Sequence, residues 1–151
     1  MGNFQLKSTA FSNGEEIPKK HGYKFNNINP HLSINGTPAE AKSLVLIMDD
    51  PDAKAAVGKL WVHWVIFNIE PDTKEIPESY SLPNSIDGKN DFGELGYGGP
   101  APPDKKHTYI FKFYALDTKL NLQKGATKEQ VENAMHNHII AETSLKGTFS
   151  P

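Results

Sequence analysis

The apolar residues of this chain occur in short runs between turn-forming residues, and this pattern constrains the fold more than any other feature. Glycine and proline account for 12 and 11 of the 151 residues and are spread through the whole sequence. Both residues interrupt helices, whereas short apolar runs bounded by them are typical of β-strands. The pattern favours an all-β core over a helical bundle. We find no internal repeat, low-complexity tract or linker.

Three apolar segments predict the central strands. Residues 44–48 form a continuous apolar run, as expected for a strand that is buried on both faces. Residues 60–69 are likewise apolar on both faces except at His63, and residues 107–116 form a third strong strand. A buried histidine in such a strand needs a polar partner, which makes His63 a candidate functional residue.

The remaining segments before the C-terminal region are less regular. A first strand is predicted within residues 2–12, residues 15–42 are rich in turn signals, and residues 71–106 are predicted to be a long irregular stretch. A structureless segment of that length is uncommon in a compact domain and is often functional.

One helix is predicted, over about residues 127–145. Thr127 and Gln130 have the spacing of a capping box, in which the two side chains satisfy backbone N–H groups at the helix start. Gly147 is the predicted stop at the C-terminal end. Apolar residues spaced by four would form the buried stripe of this helix: Val131, Met135 and Ile139.

Composition limits the classes of function. The length fits a single domain over residues 1–151, and the lack of cysteine excludes disulfides, thiolate metal sites and cysteine nucleophiles. The formal net charge is -2 with no basic patch, so a general nucleic-acid or anionic-membrane binder is not indicated. The N-terminus lacks the apolar region of a signal peptide, and no apolar run approaches the roughly 20 residues that cross a bilayer. We therefore expect a cytoplasmic protein without membrane insertion.

The polar residues that carry chemistry lie in or beside the most apolar strands. Asp50 and Asp52 are two residues apart, so in an extended segment both would point the same way. By the same rule Trp61 shares a face with His63, and His107 shares a face with Tyr109. Burying these groups unpaired would cost several kcal/mol each, so we expect them to contact one another or a ligand.

A glycine- and proline-rich loop precedes the strand that begins at His107. Glycines such as Gly99 allow the backbone to approach a ligand closely, and backbone N–H groups in such loops can bind an anion. Histidines, a tyrosine hydroxyl and backbone amides together suit phosphate or carboxylate oxygens. The two aspartates can hold the histidines protonated or accept a proton from a monoprotonated phosphate. The sequence thus indicates a phosphate-like anion as the ligand.

Each element also has an ordinary structural interpretation. Asp-Pro-Asp alone usually forms a turn, and a lone histidine in a strand is more often a core residue than a ligand. A tryptophan such as Trp61 is more often a core residue than a recognition residue. The anion hypothesis depends on the combination of these features. A metal site built from two Asp and two His ranks below it, because no typical ligand spacing is present.

These segments resemble the phosphatidylethanolamine-binding protein family, also called the Raf kinase inhibitor protein family, and especially its compact bacterial and archaeal YbhB/YbcL branch. The resemblance rests on LVLIMDDPDA at 44–53, WVHWVIFN at 61–68, DFGELGYGGPAPP at 91–103 and HTYIFKFYALD at 107–117. The opening and closing segments also fit, so the resemblance covers nearly the whole chain.

The resemblance implies a mainly β fold, an antiparallel β-sandwich with Greek-key connections and a few peripheral helices, as one domain over residues 1–151. It also implies an anion pocket at one end of the sandwich. The backbone amide of Ala101 would face the anion. Carried over by position, the ligand-binding residues are Asp50, Asp52, Trp61, His63, Gly99, Ala101, His107 and Tyr109.

Three departures from the family pattern affect this expectation. Ile34 stands where the family commonly has a tryptophan, which puts one pocket wall in question. The segment 103–107 is short, which predicts a narrow rim. The long C-terminal helix of animal members is absent, which exposes a surface for a homodimer.

The function implied by the resemblance is a small soluble binding protein for a phosphate-like anion, a phosphorylated small molecule or a phospholipid head group. Members are described as modulators of a kinase or a protease, so such a partner is expected. No cofactor or metal is expected, and a binding role is favoured over an enzymatic one. Two alternatives stay open: a weak acid–base hydrolase of phosphoesters or other esters, and a protein-interaction module whose pocket is vestigial.

Overall fold

The computed structural model describes residues 3–151, which form two antiparallel sheets with two short helices. The small sheet has the order β1-β2-β5 and the large sheet the order β6-β4-β3-β7-β8. The elements are β1 (Gln5–Lys7), β2 (Leu32–Asn35), β3 (Ser43–Asp50), α1 (Ala53–Val57), β4 (Trp61–Ile69), β5 (Glu75–Ile76), β6 (Ile86–Asp87), β7 (His107–Leu116), α2 (Lys128–Met135) and β8 (Ile139–Phe149), with a 3-10 helix at Lys19–His21.

The main core lies between the two sheets. Leu6 and Ile34 from the small sheet pack with Met48, Trp64 and Phe111 from the large sheet. The outer face of the large sheet is covered by α2, so β3 has apolar partners on both sides and is buried along its whole length. This confirms the prediction of a mainly β fold with peripheral helices.

The order of the large sheet contains the crossover that a Greek key requires. β7 does not pair with β6, its predecessor in the sequence, but returns through the long segment before His107 to lie beside β3. The end of β3 therefore meets the beginnings of β4 and β7 at one edge of the molecule. The first predicted strand is shorter than expected, since β1 covers Gln5–Lys7; residue 2 of the predicted range lies outside the described residues.

The predicted helix exists but is shorter than expected. The capping box is present, with Thr127 Oγ1 accepting from the Gln130 N–H at 3.2 Å. The helix ends at Met135, and Asn137 has a left-handed backbone with φ of 70°. The extension to residue 145 was wrong because the chain then forms β8, which pairs with β7 over its length.

Two residues assigned to the end of that helix have other roles. Ile139 is 39% exposed at the start of β8 and is not part of a buried stripe. Gly147 is not a helix stop but lies within β8, where a Cβ would come within 2.6 Å of the Ile17 side chain. A glycine therefore permits close packing at this position. No helix within residues 3–151 combines the length and apolar character that crossing a membrane requires.

Candidate functional site

A cavity of about 220 Å³ lies at the edge where β3 ends and β4 and β7 begin. Because these strands are antiparallel, the last residue of β3, Asp50, is paired with the first residue of β4, Trp61. The cavity is lined by Asp50, Ala53, Val57, Trp61, His63, Phe92, Ala101, Pro103, His107 and Tyr109. The structure thus brings together six of the eight predicted site residues and leaves Asp52 and Gly99 outside the lining.

A β-bulge directs His63 toward this cavity. Met48 pairs with Trp64 while the next residue, Asp49, pairs with Val62, so His63 is an extra residue in β4. Strict alternation would have placed His63 on the face of Val65, which packs beneath α2. The bulge reverses this, and the ring of His63 lies edge-on to that of Tyr109, with the ring centres 5.1 Å apart.

His63 is held as a neutral imidazole. Its Nδ1 lies 2.7 Å from the carbonyl oxygen of Gly98, and since a carbonyl only accepts, Nδ1 carries the proton. Burial lowers the pKa of His63 to about 4, although the hydrogen bond to the Gly98 carbonyl raises the pKa in part. At neutral pH the other nitrogen, Nε2, therefore carries a lone pair and acts as a hydrogen-bond acceptor.

His107 is bonded through both ring nitrogens to carboxylates. Its Nδ1 donates to Asp50 Oδ2 at 2.6 Å, and its Nε2 donates to Asp104 Oδ1 at 2.8 Å. Desolvation lowers the pKa of His107, but the two carboxylates outweigh it and raise the pKa above its ordinary value. Burial raises the pKa of Asp50 in spite of its imidazolium partner. His107 is thus a buried imidazolium whose two protons are already used within the protein.

Asp104 was not predicted from the sequence. It lies in the short segment before β7, and its side chain is 42% exposed. Desolvation opposes its ionisation, but the bond to the His107 ring prevails and lowers the pKa of its carboxyl. The available signal was an aspartate three residues before a strand-initial histidine, which is too common a pattern to identify a site.

Asp52 does not share the orientation of Asp50. The strand ends at Asp50, and Asp52 has helical backbone angles of -69° and -17° immediately before α1. Its carboxylate is exposed and accepts a hydrogen bond from the Thr108 backbone N–H at 2.8 Å. The expectation that both aspartates point the same way is therefore not met. Asp52 instead joins the start of β7 to the turn after β3.

The glycine- and proline-rich loop is held by the segment that follows the 3-10 helix. The Gly99 N–H donates to Asn27 Oδ1 at 2.8 Å, so this amide is bonded within the protein. The Tyr23 N–H donates to the Pro100 carbonyl at 2.9 Å. A Cβ on Gly99 would overlap the His21 carbonyl oxygen, which explains the glycine. These contacts place Ala101 at the cavity wall.

Phe92 supplies a wall that the sequence did not predict. Its ring lies edge-on to Trp61 and His63, with centres 5.6 and 5.5 Å apart, and stacks on Tyr23 at 3.9 Å. Ile34, which stands where the family commonly has a tryptophan, is a core residue of the small sheet. Phe92 therefore forms an aromatic wall of the cavity, and Ile34 does not line it.

Unpartnered polar atoms concentrate at the cavity. Within residues 3–151, five buried side-chain polar atoms have no protein hydrogen-bond partner, and three belong to lining residues: Asp50 Oδ1, Trp61 Nε1 and the Tyr109 hydroxyl. Burial, together with the nearby Asp50, raises the pKa of Tyr109, so the hydroxyl stays protonated. Each such group costs about 1–3 kcal/mol when left unpaired.

A metal site is not indicated by the geometry of these residues. In the described part of the chain, no three His, Asp or Glu side chains are grouped so that they could hold a metal ion. Both ring nitrogens of His107 are hydrogen-bonded to carboxylates, those of Asp50 and Asp104.

Comparison with known proteins shows the family of the chain. The model of the phosphatidylethanolamine-binding protein family matches residues 7–150. The chain belongs to the phosphatidylethanolamine-binding protein family. A UPF0098 protein of Methanothermobacter thermautotrophicus is 48% identical over 149 residues, covering 95% of this chain and 97% of the relative.

Two solved structures of phosphatidylethanolamine-binding protein relatives show the same fold. One is a putative homologue from Chlamydia trachomatis, CT736, which is 44% identical and has a TM-score of 0.93, covering 100% of this chain and 99% of the other. The other is Escherichia coli YbcL, which is 28% identical and has a TM-score of 0.91, covering 99% of each chain. The predicted resemblance to the compact prokaryotic branch of the phosphatidylethanolamine-binding protein family is confirmed.

Proposed function

We propose that this protein binds a phosphate-like anion, free or as a phosphorylated head group, in the cavity between Asp50, His63 and Tyr109. The observation that carries the proposal is the concentration of unpartnered polar atoms in the cavity lining. Trp61 Nε1–H and the Tyr109 hydroxyl are donors that suit the oxygens of such an anion. Membership in a family whose description names a phospholipid supports the same class of ligand.

The size of the cavity supports a small ligand. Pockets for drug-sized molecules usually measure roughly 300–1,000 Å³, and this cavity measures about 220 Å³. A phosphoryl group with a short substituent fits this scale, while the acyl chains of a lipid would remain outside. A phosphorylated side chain carries the same group, so we extend the proposal to a protein partner such as a kinase or protease.

Titration with inorganic phosphate and with phosphoethanolamine tests the proposal, using calorimetry and NMR of the His63, Trp61 and Tyr109 rings. Tyr109→Phe removes one donor and keeps the ring, and Trp61→Phe removes one donor and keeps an aromatic ring of smaller size, so each should weaken binding by about tenfold. Tyr114→Phe is the matched control, because Tyr114 lies on the same strand, β7, and packs beside the α2 face of the sheet. Binding that is absent at millimolar anion, or equal in all three variants, would refute the proposal.

The hydrolase alternative has less support. A general base needs a free lone pair, and both nitrogens of His107 are bonded to carboxylates. His63 has a free Nε2 lone pair, but its pKa of about 4 makes it a weak base. Release of product from p-nitrophenyl phosphate by the wild-type protein, lost in His63→Gln, would favour hydrolysis over binding.

A further inference from the structure

The polar end of the cavity contains hydrogen-bond acceptors as well as donors. Asp50 Oδ1 is buried and has no protein partner. His63 carries its proton on Nδ1, where it faces the Gly98 carbonyl, so its Nε2 is also an acceptor. The Tyr109 hydroxyl lies near Asp50 and is a possible donor to it. For His63 Nε2 the described residues show no such donor, so a ligand satisfies this nitrogen only when it brings hydrogen of its own.

The charges that are bonded to His107 do not sum to a positive site, and the neighbouring Lys105 and Lys106 are exposed to solvent. The imidazolium contributes +1, and the carboxylates bonded to its two nitrogens, Asp50 and Asp104, contribute -1 each. The three groups together therefore carry -1. Lys59, which lies over the Trp61 ring, is itself paired with Asp91 at 3.2 Å. A dianion entering the cavity would meet the buried Asp50 carboxylate and, next to the lining residue Pro103, the 42% exposed carboxylate of Asp104, whose repulsion water screens in part.

Building on the proposed function, we infer that the cavity selects oxyanions that carry one charge and at least one hydrogen, and that Asp104 sets the charge preference. The ligand hydrogen is donated to Asp50 Oδ1 or to His63 Nε2, while Trp61 Nε1 and the Tyr109 hydroxyl donate to its oxygens. Hydrogen phosphate esters in their monoanionic form belong to this class. Sulfate and fully ionised phosphomonoesters do not, and a phosphodiester head group belongs to it only when a substituent such as an ammonium group supplies the hydrogen.

Asp104 has the position that a specificity-determining residue needs. Its carboxylate holds the His107 Nε2 proton, which an entering anion would otherwise accept. It also lies next to Pro103, which lines the cavity. Asp104 thereby occupies the one free donor of His107. It also makes the net charge of Asp50, His107 and Asp104 negative rather than zero, and both effects disfavour a dianion.

Three anions of similar shape separate the contributions of charge and hydrogen. At about pH 6, a large share of inorganic phosphate is a hydrogen-bearing monoanion. Methyl sulfate is a monoanion without hydrogen on oxygen, and sulfate is a dianion without hydrogen. We expect calorimetry on the wild-type protein to give phosphate an affinity about tenfold or more above that of either sulfur compound. Equal affinity for phosphate and sulfate would overturn the inference.

Asp104→Asn tests the role of Asp104 in charge selection. The asparagine Oδ1 still accepts from His107 Nε2, so the loop contact is retained while one negative charge is lost. Sulfate affinity should rise by about tenfold and methyl sulfate affinity should change much less. Asp117→Asn is the matched control, because Asp117 also bonds a histidine, His138 at 2.8 Å, but follows the far end of β7.

The two proposals fail in distinguishable ways. If none of the three anions binds to the wild-type protein, the proposed function itself is wrong. If phosphate binds but sulfate binds equally well, only the selectivity is wrong. If Asp104→Asn changes sulfate affinity no more than Asp117→Asn does, Asp104 does not set the preference.

Discussion

The His107 Nδ1 atom lies 2.6 Å from Asp50 Oδ2, and both side chains are almost completely buried. Asp50 is the last residue of β3 and His107 is the first residue of β7, so the pair joins two neighbouring strands of the large sheet at the cavity. The same contact therefore contributes to the stability of the sheet and to the electrostatics of the candidate site.

Removing one member of this pair should destabilise the folded protein more than removing both. Asp50→Ala leaves the His107 imidazolium buried with one proton unbonded, which should lower the free energy of unfolding by about 3–5 kcal/mol. The double variant Asp50→Ala, His107→Leu buries no unpaired charge, so its free energy of unfolding should fall by less. Urea unfolding measures both. An Asp50→Ala variant that is as stable as the double variant would show that the pair is not charged.

The exposed pair Asp117–His138 provides the control for this comparison. Its two atoms lie at a similar distance, 2.8 Å, but the side chains are 47% and 45% exposed. Water screens such a pair, so Asp117→Ala should change stability by less than about 1 kcal/mol. A loss as large as that of Asp50→Ala would mean that burial does not explain the difference.

The pKa of His63 predicts a loss of stability on acidification. An unfolded histidine has a pKa near 6.5, whereas the pKa of His63 in the folded protein is about 4. Below pH 6.5 the unfolded state therefore binds more protons. The folded state should lose roughly 3 kcal/mol as pH falls from about 6.5 to about 4.

The measurement is urea unfolding across this pH range, together with NMR titration of the His63 ring. His63→Gln should remove this part of the pH dependence, because glutamine does not titrate. The wild-type ring should keep the Nδ1–H tautomer down to about pH 4. Titration of His63 near pH 6.5 would contradict the burial argument.

Much of the fold could be predicted from sequence because the strongest signals are local. The continuous run at 44–48 became β3, and the segment 107–116 became β7 with the predicted bounds. β8 was missed because Val131, Met135 and Ile139 continue a helical spacing across the point where the helix ends. The strand forms instead because its backbone pairs with β7, and that pairing is non-local.

The candidate site was predictable only as a set of residue types. Asp50, Trp61, His63, Ala101, His107 and Tyr109 do line one cavity. The orientation of His63 depends on a bulge, and the position of Asp104 depends on a hydrogen bond that forms only in the folded loop. Neither follows from the alternation of side chains along a strand. The bulge at His63 and the loop residues Phe92 and Asp104 are therefore the parts of the site that the sequence did not reveal.

Gly99→Ala should damage both stability and binding. A Cβ at this position would overlap the His21 carbonyl oxygen, so the loop that carries Ala101 must move. Such overpacking costs about 1–3 kcal/mol, and phosphate affinity should fall with it. Gly14→Ala is the control, since a Cβ there meets nothing within 4 Å and only its left-handed φ of 88° is strained. Normal phosphate affinity in Gly99→Ala would show that the loop does not shape the cavity.

Asn27 should act as a positioning residue for the same loop. Its backbone has a left-handed φ of 55°, and its Oδ1 accepts the Gly99 N–H at 2.8 Å. Asn27→Ala leaves that N–H without its acceptor, which should lower stability by about 1–2 kcal/mol and weaken phosphate binding several-fold. Asn27→Asp keeps an acceptor at this position and should restore most of the affinity.

Backbone strain alone can be separated from this effect. Asn84 also has a left-handed φ, 67°, but its side chain donates to the half-buried Glu70, which does not line the cavity. Asn84→Ala should therefore lower stability through backbone strain without changing phosphate affinity or the NMR signals of His63. If Asn27→Ala and Asn84→Ala behave alike in calorimetry, Asn27 only stabilises its own turn. If only Asn27→Ala loses affinity, the hydrogen bond across 72 residues of sequence positions the cavity wall.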